Sequence, residues 1–390
     1  MSKVAHSPQL RFPEFKSDWK ESRIGKIYKD LRTGSTPSRA VKSYFKGNNP
    51  WITSGELKYN RISTTFEQIT DEAIKDTNLV LYQPGTLFIA ITGLEAPGTR
   101  GKCAINAVPA TTNQSCLAFR KVDSVDNVYM FYWYLKYGIP LYFKYAQGTK
   151  QQSFNNKIVE KFQIFLPAKP EQQKIAAFLT AVDSKIEQLS KKQELLGEYK
   201  RGLMQKIFTQ EIRFKADDGS EFSDWEEKKL GDVSIRGISN ISANQLEDNN
   251  GDYKIYGAAG HLKNIDFYTE DEPYIAIVKD GAGVGKTMLL ESKTSVLGTL
   301  AIIKAKQGND INFLYWLVQI INFNKYVVGS TIPHIYYRDY QTEKLKTPSL
   351  EEQTKIANFL SSINNKIEQV GEQLNQSKQF KKALLQQMFV

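Results

Sequence analysis

Apolar residues fall at Ile175, Leu179, Val182, Ile186, Leu189, Leu196, Leu203 and Ile207, a 4,3,4,3 spacing interrupted at Gln193 and Lys200. The spacing returns at Ile356, Leu360, Ile363, Ile367, Val370, Leu374, Leu384 and Met388, interrupted at Ser377 and Lys381. A sustained 3.5-residue period predicts two long helices, each with a coiled-coil seam rather than a lone surface stripe. Ser349 and Glu352 form a capping-box pattern at the second start, and Pro170 suits the first turn of the first helix. Gly197 and Gly202 each weaken the first helix by roughly 1 kcal/mol relative to Ala. About 38 residues at a 1.5 Å rise give a helix of roughly 57 Å.

The two helices are copies. Residues 171–208 align with 352–389 without a gap, and 15 of these 38 positions are identical. The offset extends upstream: Gly148-Thr149 falls on Gly329-Ser330, Phe154 on Ile335, and Pro167 on Pro348. Earlier segments correspond more loosely. Ser17-Asp18-Trp19 matches Ser223-Asp224-Trp225, and Phe88–Ile91 matches Tyr274–Ile277. The chain therefore reads as variable domain, long helix, variable domain, long helix, with boundaries 1–165, 166–210, 211–346 and 347–390. The simplest partner of each seam is the other repeat, in an antiparallel coiled coil with a pseudo-two-fold internal repeat. Packing of each helix on its own domain, or dimerisation, would use the seams differently. The domains are mixed. GTLFIAI (85–91), PYIAIV (273–278) and LAIIKA (300–305) predict strands, while residues 131–146 and 312–327 predict short helices with aromatic core faces. The fold class is α+β.

Composition narrows the function. Among 390 residues, 41% are hydrophobic, a globular value. Lys plus Arg number 52 against 42 Asp plus Glu, a net charge of +10 that favours polyanionic partners, nucleic acid first. Cys103 and Cys116 with His6, His261 and His334 make no zinc-ligand spacing, so no metal site is expected. The N-terminus lacks the apolar region of a signal peptide, and no run approaches a membrane span. A cytoplasmic protein is expected.

The search for chemistry yields no catalytic residue. Residues 279–288, KDGAGVGKTM, end like a phosphate-binding loop, but Asp280 occupies the position of its first glycine. The continuation TMLLESKTSVLGTLAIIKA is strand-like, where a helix is required. Gly101-Lys102 falls on Gly285-Lys286, so both domains share a glycine turn ending in Gly-Lys, suited to a DNA phosphate. Asn48-Asn49-Pro50-Trp51 lacks a proline of the amino-methylase motif. Glu56-Leu57-Lys58 is an isolated Glu-x-Lys. The candidate contacts to DNA are polar loop clusters. In the first domain they comprise Ser35, Thr36, Ser38, Arg39, Trp51, Thr99, Arg100, Lys102, Gln147, Thr149, Lys150, Gln151, Gln152 and Ser153. In the second they comprise Arg236, Asn240, Tyr256, Lys279, Asp280, Lys286, Ser330, Thr331 and His334. An ordinary solvated loop is the competing reading for each residue singly; the sets are more persuasive because they recur in both halves.

Two diverged domains, each followed by a PxxxEQxKIAxFL…KIE helix at Pro167–Glu187 and Pro348–Glu368, resemble the specificity subunit of a type I restriction–modification system. Thr33–Ser38, Tyr256–Gly260 and Asp280–Lys286 resemble stretches of its target-recognition domains. The resemblance implies two target-recognition domains that each read one half of a bipartite double-stranded DNA site, with the helices fixing the spacer. It implies two modification (methyltransferase) subunits docked on the chain and two restriction (motor and nuclease) subunits. The chain itself would be non-catalytic and hold no cofactor; S-adenosylmethionine, ATP and Mg2+ would belong to the partners. The competing reading is a coiled-coil scaffold that binds only protein.

Overall fold

The computed structural model describes residues 7–390; His6 and the residues before it lie outside the described residues. The chain divides into two compact units, one of Met1–Leu189 with Gln373–Val390, the other of Ser190–Glu372.

In unit 1, a five-stranded sheet runs in the order Arg32–Thr33, Cys116–Phe119, Leu87–Ala90, Cys103–Asn106, Asn60–Ile62. The three central strands are buried at every position, which is why LFIA, CAIN and CLAF show no apolar-polar alternation. The helix Asn127–Tyr145 packs here, capped by Asp126, whose carboxylate accepts from the N–H groups of Val128 (2.8 Å) and Tyr129 (3.0 Å). Its aromatics are core as expected: Tyr129, Phe131, Tyr132, Trp133 and Tyr134 are all buried. It begins four residues earlier than its apolar run and continues through Pro140.

Unit 2 repeats the plan. Ser234–Gly237, Leu300–Ala305, Tyr274–Val278 and Thr287–Leu290 form an antiparallel sheet in that order. The helix Ile311–Gln319 is capped by Asp310, and the expected helix to 327 instead breaks into a 3-10 turn, Phe323–Tyr326.

The repeated Glu-Gln pair locks each long helix to its own unit. In unit 1, the nearly inaccessible Glu171 carboxylate takes a bidentate pair from Arg11 (Nε 2.7 Å, Nη2 2.8 Å) and a bond from Trp19 Nε1 (3.2 Å). In unit 2, Glu352 receives Arg213 (Nη2 2.8 Å, Nε 3.3 Å) and Trp225 Nε1 (3.0 Å). The glutamines act as brackets. Gln172 Oε1 accepts from Asp126 N and its Nε2 donates to Pro167 O; Gln353 does the same with Asp310 N and Pro348 O. One residue before each seam leucine (Leu179 and Leu360), Phe178 meets Phe12 edge-on at 5.8 Å and Phe359 meets Phe214 at 5.5 Å. The expected capping box is thus half formed. Ser349 Oγ accepts from Glu352 N at 3.5 Å, but the Glu352 carboxylate is committed to Arg213 and Trp225.

The long helices are Lys169–Phe208 and Leu350–Gln387. In unit 2 they run antiparallel: Gln193 lies by Gly371, Lys200 Nζ donates to Asn364 Oδ1 at 2.9 Å, and Met204 and Ile207 share a core with Ile356, Ala357 and Leu360. In unit 1, Ile175, Ala176 and Leu179 share a core with Leu384, Leu385 and Met388, and Asp183 pairs with Lys381 at 2.5 Å. The seam residues Leu189, Ile363 and Val370 are buried, and Val182, Ile186 and Ile367 half-buried. The two lysine interruptions find partners. Lys381 lies over Tyr132, whose hydroxyl donates to Asp183 at 2.8 Å, and Lys200 lies 5.1 Å from the Trp316 ring. Burial lowers the pKa of the Lys200 ammonium from its usual value.

Candidate nucleic-acid interface

In unit 1 two of the predicted loop clusters are stitched into one. Thr92 and Gln147 both bridge to Ser153, Leu94 N donates to Gln152 O at 3.0 Å, and Gln152 N donates to Glu95 Oε2 at 2.9 Å. Gly148 closes the tip: its φ is +105°, and a Cβ there would stand 2.2 Å from Gln151 O. The turn leaves Gln147, Thr149, Lys150 and Gln151 exposed. Their neighbours do a different job. Arg100 donates to Leu94 O (3.0 Å) and Glu95 O (2.8 Å), and its guanidinium lies 4.2 Å from the Tyr142 ring centroid. Gln152 Oε1 accepts from Tyr142 Oη. These two residues, predicted as DNA contacts, shape the loop from within. Thr99, Lys102 and Ser153 are half-buried, and Lys102 Nζ sits 4.2 Å from the Tyr59 ring.

Unit 2 builds the same feature from different letters. Asp280 and Val328 both bridge to His334, Gly281 N donates to Pro333 O at 2.9 Å, and Ile335 N donates to Lys279 O at 3.0 Å. Gly329 matches Gly148: φ is +87°, and a Cβ would meet Ile332 O at 2.5 Å. The segment 279–286 is a hairpin connection. Val278 N donates to Lys286 O, Gly285 N returns to Val278 O, and the chain re-enters the sheet as Thr287–Leu290. This is the strand-like continuation that the sequence predicted, and it leaves no helix N-terminus at Lys286. Lys286, Ser330 and Thr331 are exposed, and the Lys286 ammonium has no ion pair among the described residues. Lys279 lies 3.9 Å from Asp280; both are half-buried, as is His334, whose Nδ1 lies 3.3 Å from Ile332 O. Ala258, Ala259 and Gly260, which follow the half-buried Tyr256, line one surface cavity with Lys286 and Thr287, joining two stretches distant in sequence. Arg236 and Asn240 are exposed.

The remaining cluster of unit 1 is the loop 33–39. Gly34 N donates to Asn113 O, and a Cβ at Gly34 would overlap Thr112 O at 1.6 Å. Thr36 Oγ1 donates to Gln114 Oε1 at 2.7 Å; Thr36 and Ser38 are exposed and Ser35 is half-buried. Arg39 is exposed but forms a bidentate pair with Glu67 and lies over Phe45 at 4.3 Å. Trp51 is corrected. It is 2% exposed, packs with Ile69 and Ala73, and donates Nε1 to Ser35 O at 3.2 Å. Its indole supports the loop from below and offers no face to a base. Sequence reasoning missed Arg11 and Arg213, which anchor the two units. A signal existed, because Arg11-Phe12 and Arg213-Phe214 recur ahead of the matched Ser-Asp-Trp triplets.

Residues 16–196 and 222–378 match the family model described as type I restriction modification DNA specificity domain. The chain is 26% identical over 419 residues to the type I restriction enzyme MjaIX specificity subunit of Methanocaldococcus jannaschii, covering 95% of each. It is 24% identical over 375 residues to the EcoprrI specificity subunit of Escherichia coli, covering 89% of each. Its fold is similar to a crystal structure of the type I restriction-modification S subunit from M. genitalium, with a TM-score of 0.70, 16% identity, and coverage of 98% of this chain and 99% of that one. The family model matches both halves of the chain, and the protein belongs to the type I restriction-modification DNA specificity family.

Proposed function

We propose that this chain is the DNA-recognition subunit of a type I restriction–modification complex, each unit reading one half of a bipartite duplex site. The observation that carries this is the recurrence of one device on two sequences. A loop after a buried sheet strand is stitched to a second loop closed by Gly148 or Gly329, displaying Lys150 and Gln151 in one unit and Lys286, Ser330 and Thr331 in the other. Variable letters on a constant frame suit base readout, and the basic net charge of +10 suits the phosphate backbone.

The family membership supports complex assembly. We assign adenine methylation with S-adenosylmethionine to two modification subunits, and ATP- and Mg2+-dependent cleavage to two restriction subunits, with this chain non-catalytic and cytoplasmic. Its own groups support a structural role. Glu171 and Glu352 are committed to anchoring arginines, and burial pushes the Cys116 thiol up to about 12, so neither thiol is a ready nucleophile. No helix among the described residues is long and apolar enough to cross a membrane.

The long helices are proposed to fix the spacer: 40 residues at a 1.5 Å rise span about 60 Å, against roughly 34 Å per duplex turn. The test is binding of the full chain, assembled with modification subunits, to target and scrambled duplexes across a salt series. Preference for the target with a steep salt slope is expected; equal, salt-insensitive binding would leave only the protein-scaffold reading.

A further inference from the structure

The most exposed large apolar side chain among the described residues is Phe66, at 83%. It is the one apolar residue of the stretch Ser63-Thr64-Thr65-Phe66-Glu67-Gln68. Its backbone is nonetheless fixed. Phe66 N donates to Glu56 Oε1 at 2.7 Å, and the buried Glu56 carboxylate also accepts from Thr53 N and Thr53 Oγ1. Thr65 Oγ1 accepts from Trp51 N at 3.1 Å and donates to Glu67 O at 2.5 Å. A buried carboxylate and the Trp51 strand therefore hold a bare ring out into solvent.

The surroundings are cationic. Lys58 Nζ lies 5.7 Å from the Phe66 ring, Lys102 Nζ lies 4.2 Å from the adjacent Tyr59 ring, and Tyr59 N donates to Cys103 O at the edge of the five-stranded sheet. On the other side, Glu67 is neutralised by Arg39 within the loop 33–39. Lys102 with Tyr59 and Lys58 with Phe66 are thus two cation–ring pairs whose members Lys58 and Tyr59 are consecutive in the chain, on the same unit as the stitched loops. Phe143, at 72% exposure, differs in its cation: the Arg100 guanidinium 5.4 Å from its ring is bound to Leu94 O and Glu95 O.

We propose that Phe66 is an aromatic wedge set against the base stack of the duplex bound by unit 1, with Lys58 and Lys102 on the flanking phosphates. This rests on the DNA-recognition reading above. Apolar wedges between base steps are a general way of exchanging stacking energy for a deformed duplex that meets more protein surface, and an extended ring framed by lysines has that form. Deformation would extend the specificity of unit 1 to base steps that its loops do not touch.

The test uses the full chain assembled with its modification subunits and a duplex carrying the site defined by methylation mapping, with 2-aminopurine placed in turn along the unit 1 half-site. The wild type should raise 2-aminopurine fluorescence at one step. Phe66→Ala should abolish that rise and weaken target binding by about tenfold with the salt slope unchanged, and Phe66→Trp should restore both. Lys58→Ala should make the salt slope shallower by about one without abolishing the fluorescence rise. The wedge is refuted if no position responds in the wild type, or if Phe66→Ala binds within about twofold of it. It is equally refuted if Phe66→Ala releases the modification subunits while the complexes that remain bind DNA normally, which would make Phe66 a protein contact. If the wild type does not prefer its target over a scrambled duplex, the recognition reading itself fails and the wedge falls with it.

Discussion

Replacing Glu171 with glutamine removes the charge at the start of the first long helix while keeping its shape. The carboxylate accepts two bonds from Arg11 and one from Trp19, and it is 1% exposed, against 13% for Arg11. Glutamine keeps one acceptor oxygen, but its amide then faces the guanidinium with donor against donor. Arg11 Nη2 retains its bond to Ser17 O, so the arginine is not wholly orphaned. Breaking a buried pair by neutralising one partner costs about 3–5 kcal/mol, and we take about 3 because the arginine side is partly solvated. That corresponds to roughly a hundredfold faster amide exchange for groups that exchange through opening of the unit. The assay is hydrogen–deuterium exchange resolved by peptide. Strands Leu87–Ala90 and Cys116–Phe119 should lose protection, while Tyr274–Val278 keeps it. Glu352→Gln should do the reverse, because Glu352 anchors Arg213 and Trp225 within unit 2. If both variants exchange like the wild type, or each loosens both units equally, the repeated Glu is not a unit-specific anchor.

Further outcomes are expected. Gly202→Ala should stabilise the first long helix by about 1 kcal/mol, since no atom lies within 4 Å of the added Cβ; a rise in the thermal midpoint of unit 2 checks it. Trp51→Ala should cost about 3–5 kcal/mol and disorder the loop 33–39, whereas Trp51→Phe should keep the core and lose mainly the bond to Ser35 O; urea unfolding of the two separates support from contact. If the exposed Lys286 ammonium serves a phosphate, as the recognition reading has it, Lys286→Ala should weaken binding to target and non-target duplexes alike and make the salt slope shallower by about one.

The helices and the repeat were legible because their signals are periodic. A 4,3 spacing repeated over eleven turns survives Gln193, Lys200, Ser377 and Lys381, and the two lysines find polar partners, Asn364 and Asp183. The meaning of Glu171 and Gln172 was not legible. Arg11 lies 160 residues from Glu171 along the chain, and Asp126 lies 46 residues from Gln172, so only the fold brings them together. The recurrence of the loop clusters was visible, but the roles within them were not. Arg100, Gln152 and Trp51 have the chemistry of DNA contacts, and the structure spends that chemistry inward on Leu94, Tyr142 and Ser35. Phe66 left the opposite trace: one apolar letter in a polar run, whose exposure became apparent only with Glu56 and Thr65 beneath it.

This chain is proposed to select DNA sequence, one half-site per unit. Genome-wide methylation mapping in cells carrying the modification subunits, with and without this chain, tests it most directly, together with an exchange of residues 1–165 for the equivalent domain of a relative. A bipartite methylated site that appears only with the chain is expected, with a change in one half of that site after the exchange. Methylation that is independent of the chain, or an exchange that leaves both halves unaltered, would contradict it.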